Sequence, residues 1–150
     1  MRDLISNTRM IRGAKQTLSG TTANASALID RRGFSSTTIY LETGTVTDAG
    51  TAAGFNMKVQ HSDSTAAATF VDCTDAELLP NSAGLRSLTV TADTDDDILV
   101  GGVGYVGGKR YVRTLTTGTT GTAADIFTVA VMGHPSNAPT ASIGATTAAT

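Results

Sequence analysis

The stretch from Gly54 to His61, GFNMKVQH, alternates without a break: Phe55, Met57 and Val59 fall on one side of an extended chain, and Asn56, Lys58 and Gln60 on the other. A period of two residues with one apolar and one polar side is the pattern of a strand buried on one face and wet on the other. Downstream, Ser62 to Thr65 (SDST) reads as a turn, because Ser and Asp side chains bond their own backbone. Ala68 to Cys73 (ATFVDC) reads as a strand. Thr74, Asp75 and Glu77 ahead of Leu78 and Leu79 supply an N-cap and one helical turn, which Pro80 stops. Leu85 to Ala92 (LRSLTVTA) alternates again, with both faces half covered, and the run DTDDD turns the chain into Ile98 to Tyr105. Lys109 to Thr116 (KRYVRTLT) is expected to fold back on that strand, since Gly107-Gly108 tolerates the positive φ of a hairpin turn. After the loop TTGTTGTAA, Asp125 to Met132 (DIFTVAVM) is the last strand, with Phe127, Val129 and Val131 expected in the core.

Upstream of the opening strand, Thr43 to Gly54 (TGTVTDAGTAAG) reads as a long hairpin loop with a short strand around Val46. Ser36 to Glu42 (STTIYLE) is a strand with Thr37, Ile39 and Leu41 on one face, and Ala25 to Asp30 is the first strand of the body. About eight short strands, turn signals every 8 to 15 residues and no amphipathic helix beyond one turn define an all-β chain. The expected architecture is an antiparallel β-sandwich, jelly-roll-like, with an extended N-terminal arm.

Composition agrees. The 150 residues, 15.3 kDa, make one domain, and 27 Thr, 21 Ala and 16 Gly take more than a third of the positions. Only 16% of residues are charged, against about 25% in an average soluble domain. The net charge of −2 lacks the basic excess of a nucleic-acid binder, but it is unevenly spread. Residues 1–32 hold six Arg and Lys against two Asp, a net +4, and the remainder carries −6. The first 24 residues place Leu4, Ile5, Met10, Ile11 and Leu18 beside Arg2, Arg9, Arg12 and Lys15 without a strand or helix period. Three domains of behaviour follow: a docking arm over 1–24, a sandwich over 25–133, and an extended or flexible tail over 134–150 with two of the three prolines and no charge. One cysteine excludes an internal disulfide, and no apolar run approaches the roughly 18 residues of a membrane span.

Residues that carry chemistry are few. Gly102, Gly104 and Gly107 spell GxGxxG, but a strand follows where a nucleotide-binding unit needs a helix, so the glycines are read as room for close strands. Asp93, Asp95 and Asp97 imitate the opening of a calcium loop, yet Ile98 and Gly104 stand where Gly and Glu are required. With Asp96 they form an acidic turn, alternatively a surface cation site or an acceptor of neighbouring arginines. His61 and His134 have no His, Cys or Glu at ligand spacing, so no metal is expected, and Cys73 has no nearby His to activate it. There is no GxSxG and no evident acid and base pair, so no catalytic residue and no cofactor is assigned. Asn24-Ala-Ser26 is a glycosylation sequon by pattern, with no secretory signal beside it. Lys109, Tyr111 and Arg113 share one face of a strand, a surface that either stays solvated or meets acidic groups of a partner.

The blocks FNMKVQHSDS, FVDCTDAELL and, most specifically, GYVGGKRYVR at Gly104 to Arg113 resemble the head decoration, or cement, proteins of tailed bacteriophages and prophages. The resemblance covers roughly Ile29 to Pro135. It implies a structural virion protein, made in the host cytoplasm and located on the outer capsid surface. Its partners would be the major capsid protein of an HK97-like shell and further copies of itself, a homotrimer first and a dimer second, with no nucleic acid and no membrane. On that reading Arg2, Leu4, Ile5, Arg9, Ile11 and Arg12 form the capsid-binding arm, and Lys109, Tyr111 and Arg113 the subunit interface. Two further readings are a glycan- or receptor-binding sandwich displayed on the virion, and a head-completion or tail-tube component. The first needs a concave aromatic platform, for which the chain offers Tyr40, Tyr105, Tyr111 and no Trp.

Overall fold

A computed structural model describes residues 7–135 and 146–147. The chain is an all-β sandwich of two sheets packed face to face. In chain order the strands are β1 (Thr8–Ser19), β2 (Ala23–Ala25), β3 (Ile29–Asp30), β4 (Phe34–Asp48), β5 (Phe55–Ser62), β6 (Val71–Asp72), β7 (Leu78–Leu79), β8 (Leu88–Val90), β9 (Leu99–Tyr105), β10 (Tyr111–Thr117), β11 (Ala123–Pro135) and β12 (Thr146–Thr147). The first sheet runs β12-β1-β11-β4-β9-β7, and the second runs β2-β10-β5-β6, with β3 against β10 and β8 against β5. Every pairing is antiparallel except β12 with β1, which is parallel. Among the described residues no helix is long and apolar enough to cross a membrane.

Most connections leave one sheet for the other, so neighbours in sequence are seldom neighbours in a sheet. β9 lies in the first sheet and β10 in the second, so Gly107 and Gly108 carry a crossover and not the expected hairpin. The glycine is still needed: a Cβ at Gly107 would stand 2.5 Å from the Tyr105 hydroxyl, which lies across the turn. The strand expected from Gly54 to His61 is β5, with Phe55, Met57 and Val59 at most 1% exposed against the other sheet. Gly54 enters it at φ +64, where a Cβ would collide with the Val90 carbonyl oxygen at 1.9 Å.

Three expectations are corrected. Residues 8–19 are not an arm: they form β1, paired with β11 from Thr8 opposite Gly133 to Ser19 opposite Ala123, so the sandwich begins well before residue 25. Ile11 and Leu18 lie in the core. The segment read as a loop after Glu42 is the continuation of β4 to Asp48. Finally, β11 faces the opposite way: Ala124, Ile126, Thr128, Ala130 and Met132 point into the core, and Phe127, Val129 and Val131 point out.

The single turn at Asp75–Glu77 has the expected cap. Thr74 and Glu77 form a capping box, with the Thr74 N–H and hydroxyl donating to Glu77 Oε2 at 2.8 and 2.9 Å. The acidic turn is structural as well. Past Glu42, where β9 no longer pairs with β4, Asp96 Oδ1 accepts the Val46 N–H and Asp93 Oδ1 accepts the Ala49 N–H at 2.8 Å. Carboxylates thus replace the missing strand as acceptors for an otherwise open edge.

Candidate functional site

Two places stand out: the outer face of the first sheet, and a polar cluster at one end of the sandwich. Cross-strand register lays the outer face out in three rows. Met10 stands opposite Val131, which stands opposite Thr38, then Gly104 and Leu79. Arg12, Val129, Tyr40 and Gly102 make the second row, and Lys15, Phe127, Glu42 and Leu99 the third. The glycines of the GxGxxG stretch now have a role. A Cβ at Gly102 would sit 2.6 Å from the Tyr40 ring, and one at Gly104 would sit 3.0 Å from Leu79, so both residues make room for apolar side chains lying over β9.

A solvent-facing sheet surface is ordinarily polar at alternate positions. Here Met10 is 50% and Leu99 64% exposed, and together with Tyr40, Phe127, Val129 and Val131 they line a shallow groove of about 290 Å³. The rim is charged. Lys15 Nζ lies 5.9 Å from the centroid of the Phe127 ring, Arg12 is exposed in the next row, and Glu42 lies within the groove wall.

Of the residues expected to bind as an arm, Arg2, Leu4 and Ile5 lie outside the described residues. Ile11 is a core residue, Arg9 is half-buried opposite Met132, and Arg12 projects on the outer face. The residues expected at a subunit interface are held within the chain. Lys109 Nζ pairs with Asp63 at 2.7 Å. Arg113 donates to Gln60 Oε1 at 2.9 Å and lies over the Phe70 ring at 4.3 Å, and Tyr111 is covered by the Arg110 guanidinium at 4.7 Å. Arg110 itself forks onto Asp30 at 3.0 and 2.7 Å, which holds the Asp30 carboxyl below its usual range.

The polar cluster is built where the β9 to β10 crossover passes the end of β5. His61 is buried, and its Nδ1 lies 2.9 Å from the Tyr105 hydroxyl, which also accepts the Lys109 N–H at 3.0 Å. Glu77 Oε1 lies 3.6 Å from the same Nδ1. Cys73 completes the group: donor atoms of His61, Cys73 and Glu77 all lie within 4.8 Å of one another. His61 has no such partner at ligand spacing in the sequence, and it is the fold that brings Cys73 and Glu77 to it. The contacts join residues 12 and 4 positions apart through a sheet crossing, and no short spacing motif signals them. Burial, then the charges of Glu77 and Asp72, pushes the Cys73 thiol up to about 12, whereas the Thr74 hydrogen bonds hold the Glu77 carboxyl low.

Arg31 supports this end. It is 8% exposed, its guanidinium stacks on the Tyr105 ring at 4.4 Å, and it donates to Thr37 Oγ1 and to the Gly107 and Lys109 carbonyls at 3.0, 3.0 and 2.8 Å. No carboxylate pairs with it among the described residues; its partners are carbonyls and a hydroxyl. Burial lowers its pKa.

The fold and these surfaces define an all-β sandwich with an apolar outer sheet face. No family model matches the sequence, and no curated protein matches it. Among solved structures, the PBSX exported protein XepA superposes with a TM-score of 0.54 at 12% identity, over 91% of this chain and 40% of that one. The chain thus spans about two-fifths of XepA, and at this identity the likeness is one of fold. The SPBc2 prophage-derived protein YomS overlaps over 89% of this chain and 100% of its own, at 11% identity and a TM-score of 0.48.

Proposed function

We propose that the protein is a structural component of a phage particle that cements the capsid, docking the outer face of its six-stranded sheet onto the major capsid protein. The observation that carries the proposal is the apolar strip of Met10, Tyr40, Leu99, Phe127, Val129 and Val131, which no other strand covers among the described residues, on a sheet whose other face already fills the core. Large connected apolar patches on small soluble domains mark interaction surfaces. Covering Met10 and Leu99 returns about 1 kcal/mol each, and Tyr40 and Phe127 supply the aromatic anchors that dominate interface energies. Arg12 and Lys15 on the rim favour an acidic border on the partner, which sets register more than affinity. The resemblance to decoration proteins and the fold shared with an exported PBSX protein point the same way. A weak contact repeated over a lattice becomes a strong one by avidity when copies are joined as a symmetric oligomer.

The test is binding to undecorated heads assembled from the major capsid protein of the same genome. Wild-type protein is expected to saturate at a fixed copy number per head. Val129→Asp, at the centre of the strip, should weaken binding by about 30-fold or more, while Lys58→Ala on the other sheet leaves it unchanged. Failure of wild-type protein to bind heads, or equal binding by Val129→Asp, overturns the proposal. Saturable binding to a glycan array in its place would establish the displayed-lectin reading.

A further inference from the structure

We propose that His61, Cys73 and Glu77 form a zinc-binding site at the end of the sandwich. The three residues supply the nitrogen, sulfur and oxygen donors that zinc accepts, and their donor atoms already lie within 4.8 Å of one another. A tetrahedral zinc with ligands at roughly 2.0 to 2.3 Å asks only a modest contraction of that cluster. The set is three protein ligands with the fourth position open, which water fills.

A second observation comes from the hydrogen bonding. The Tyr105 hydroxyl accepts the Lys109 N–H at 3.0 Å and lies 2.9 Å from His61 Nδ1. Glu77 Oε1 faces the same Nδ1 at 3.6 Å, while Oε2 takes both bonds from Thr74. A ring nitrogen and a carboxylate oxygen are thus already turned toward each other, and a cation between them would take both as ligands with His61 as the neutral imidazole.

The surroundings fit an ion. His61 is fixed on β5, Glu77 by its capping box, and Cys73 by its N–H to the Val59 carbonyl at 2.9 Å. A surface cavity of about 390 Å³ reaches Cys73 past Asp72, Asp75 and Leu78, so solvent meets the cluster on its cysteine side. Asp72 and Asp63 add negative charge nearby, against Arg31 and Lys109. On binding, the Cys73 S–H bond breaks as the sulfur–zinc bond forms and the proton leaves to solvent. Tyr105 keeps the Lys109 bond.

Cobalt(II) is the probe. Full-length protein stripped with chelator is titrated with Co²⁺ and then with Zn²⁺. A sulfur-to-cobalt charge-transfer band that saturates at one ion per chain and is bleached by zinc is expected, with zinc at a hundredfold excess over its Kd raising Tm by about 5 °C or more. Cys73→Ser should abolish the band. Glu77→Gln retains a residue the capping box accepts, so it should fold normally and bind at least about tenfold more weakly. A wild-type chain without the band, or a band unchanged in Cys73→Ser, overturns the site. Neither readout depends on capsid binding.

Discussion

Arg31 is the sharpest test of how the two sheets are joined. Replacing it with Met keeps an unbranched apolar stem and removes the guanidinium, the part of the side chain that lies on the Tyr105 ring. Three hydrogen bonds of 2.8 to 3.0 Å are lost, to Gly107, Lys109 and Thr37, together with the cation stacked at 4.4 Å on Tyr105. Bonds to a charged donor contribute roughly 1.5–3 kcal/mol each and the stacking about 1 kcal/mol. That gross sum is reduced because the buried guanidinium no longer has to be desolvated, and because Gly107 and Lys109, at the chain surface, can take water on their freed carbonyls. The expected net loss is about 2–4 kcal/mol, or roughly 5–15 °C in Tm for a chain of this size. Arg31→Lys keeps the charge but cannot span two carbonyls and a hydroxyl, so it should fall between the two. Urea unfolding followed by circular dichroism reads the difference as a shift in midpoint at constant slope. A loss under about 1 kcal/mol for Arg31→Met, with native circular dichroism, would refute the view that this side chain pins the crossover.

Three other substitutions probe separate features. Gly54→Ala should destabilise by about 3 kcal/mol or more, since positive φ and the 1.9 Å approach to the Val90 carbonyl act together; Gly20→Ala, also at positive φ but with open space around it, should lose only about 1 kcal/mol in the same urea titration. Thr116→Val should stabilise by about 1 kcal/mol in calorimetry, because the Thr116 hydroxyl is fully buried without a hydrogen-bond partner. The Asp30 carboxyl has a lowered pKa in the folded protein, chiefly through Arg110, so its contribution is present in full above about pH 4, the unfolded carboxyl's range, and is lost as pH falls through the lower folded value. Asp30→Asn should therefore be less stable than wild type at pH 6 and should lose less stability between pH 5 and pH 2, as read by unfolding at each pH.

Where alternation was regular and one face clearly apolar, the residues predicted the strand and its orientation, as in β5 and in Thr37, Ile39 and Leu41 of β4. β1 was hidden by a bulge. Its register slips between Arg12 and Ala14, so Ile11 and Ala14 both face the core across Gly13 and the period of two breaks in mid-strand. In the same way Thr43 and Gly44 are both buried, next to register shifts on both sides of β4, and the rest of that strand reads as a loop. β11 failed for a different reason. Both of its faces are apolar, and the larger side chains, Phe127, Val129 and Val131, are the outward ones. Hydrophobicity ranks residues but does not say which of two apolar faces meets the other sheet; that follows from packing with Phe55, Met57 and Val112 across the core.

The two candidate sites escaped sequence reading for related reasons. The outer strip needs the correct phase of β11 and the presence of β1 before Met10, Val129 and Tyr40 can be seen as neighbours. The His61, Cys73 and Glu77 cluster needs the crossover, because only the passage from one sheet to the other brings the ends of β5 and β9 together around Tyr105. A sandwich whose chain changes sheet at nearly every turn builds its surfaces from residues distant in sequence, and it therefore conceals sites from any search by spacing. The same topology makes the surfaces stiff. The outward rows cross four or five strands of hydrogen-bonded sheet, and a rigid apolar face loses little entropy on docking. Under the function proposed above, that stiffness is what the docking needs, because any compliance in the sheet would be passed on to the shell subunits it joins.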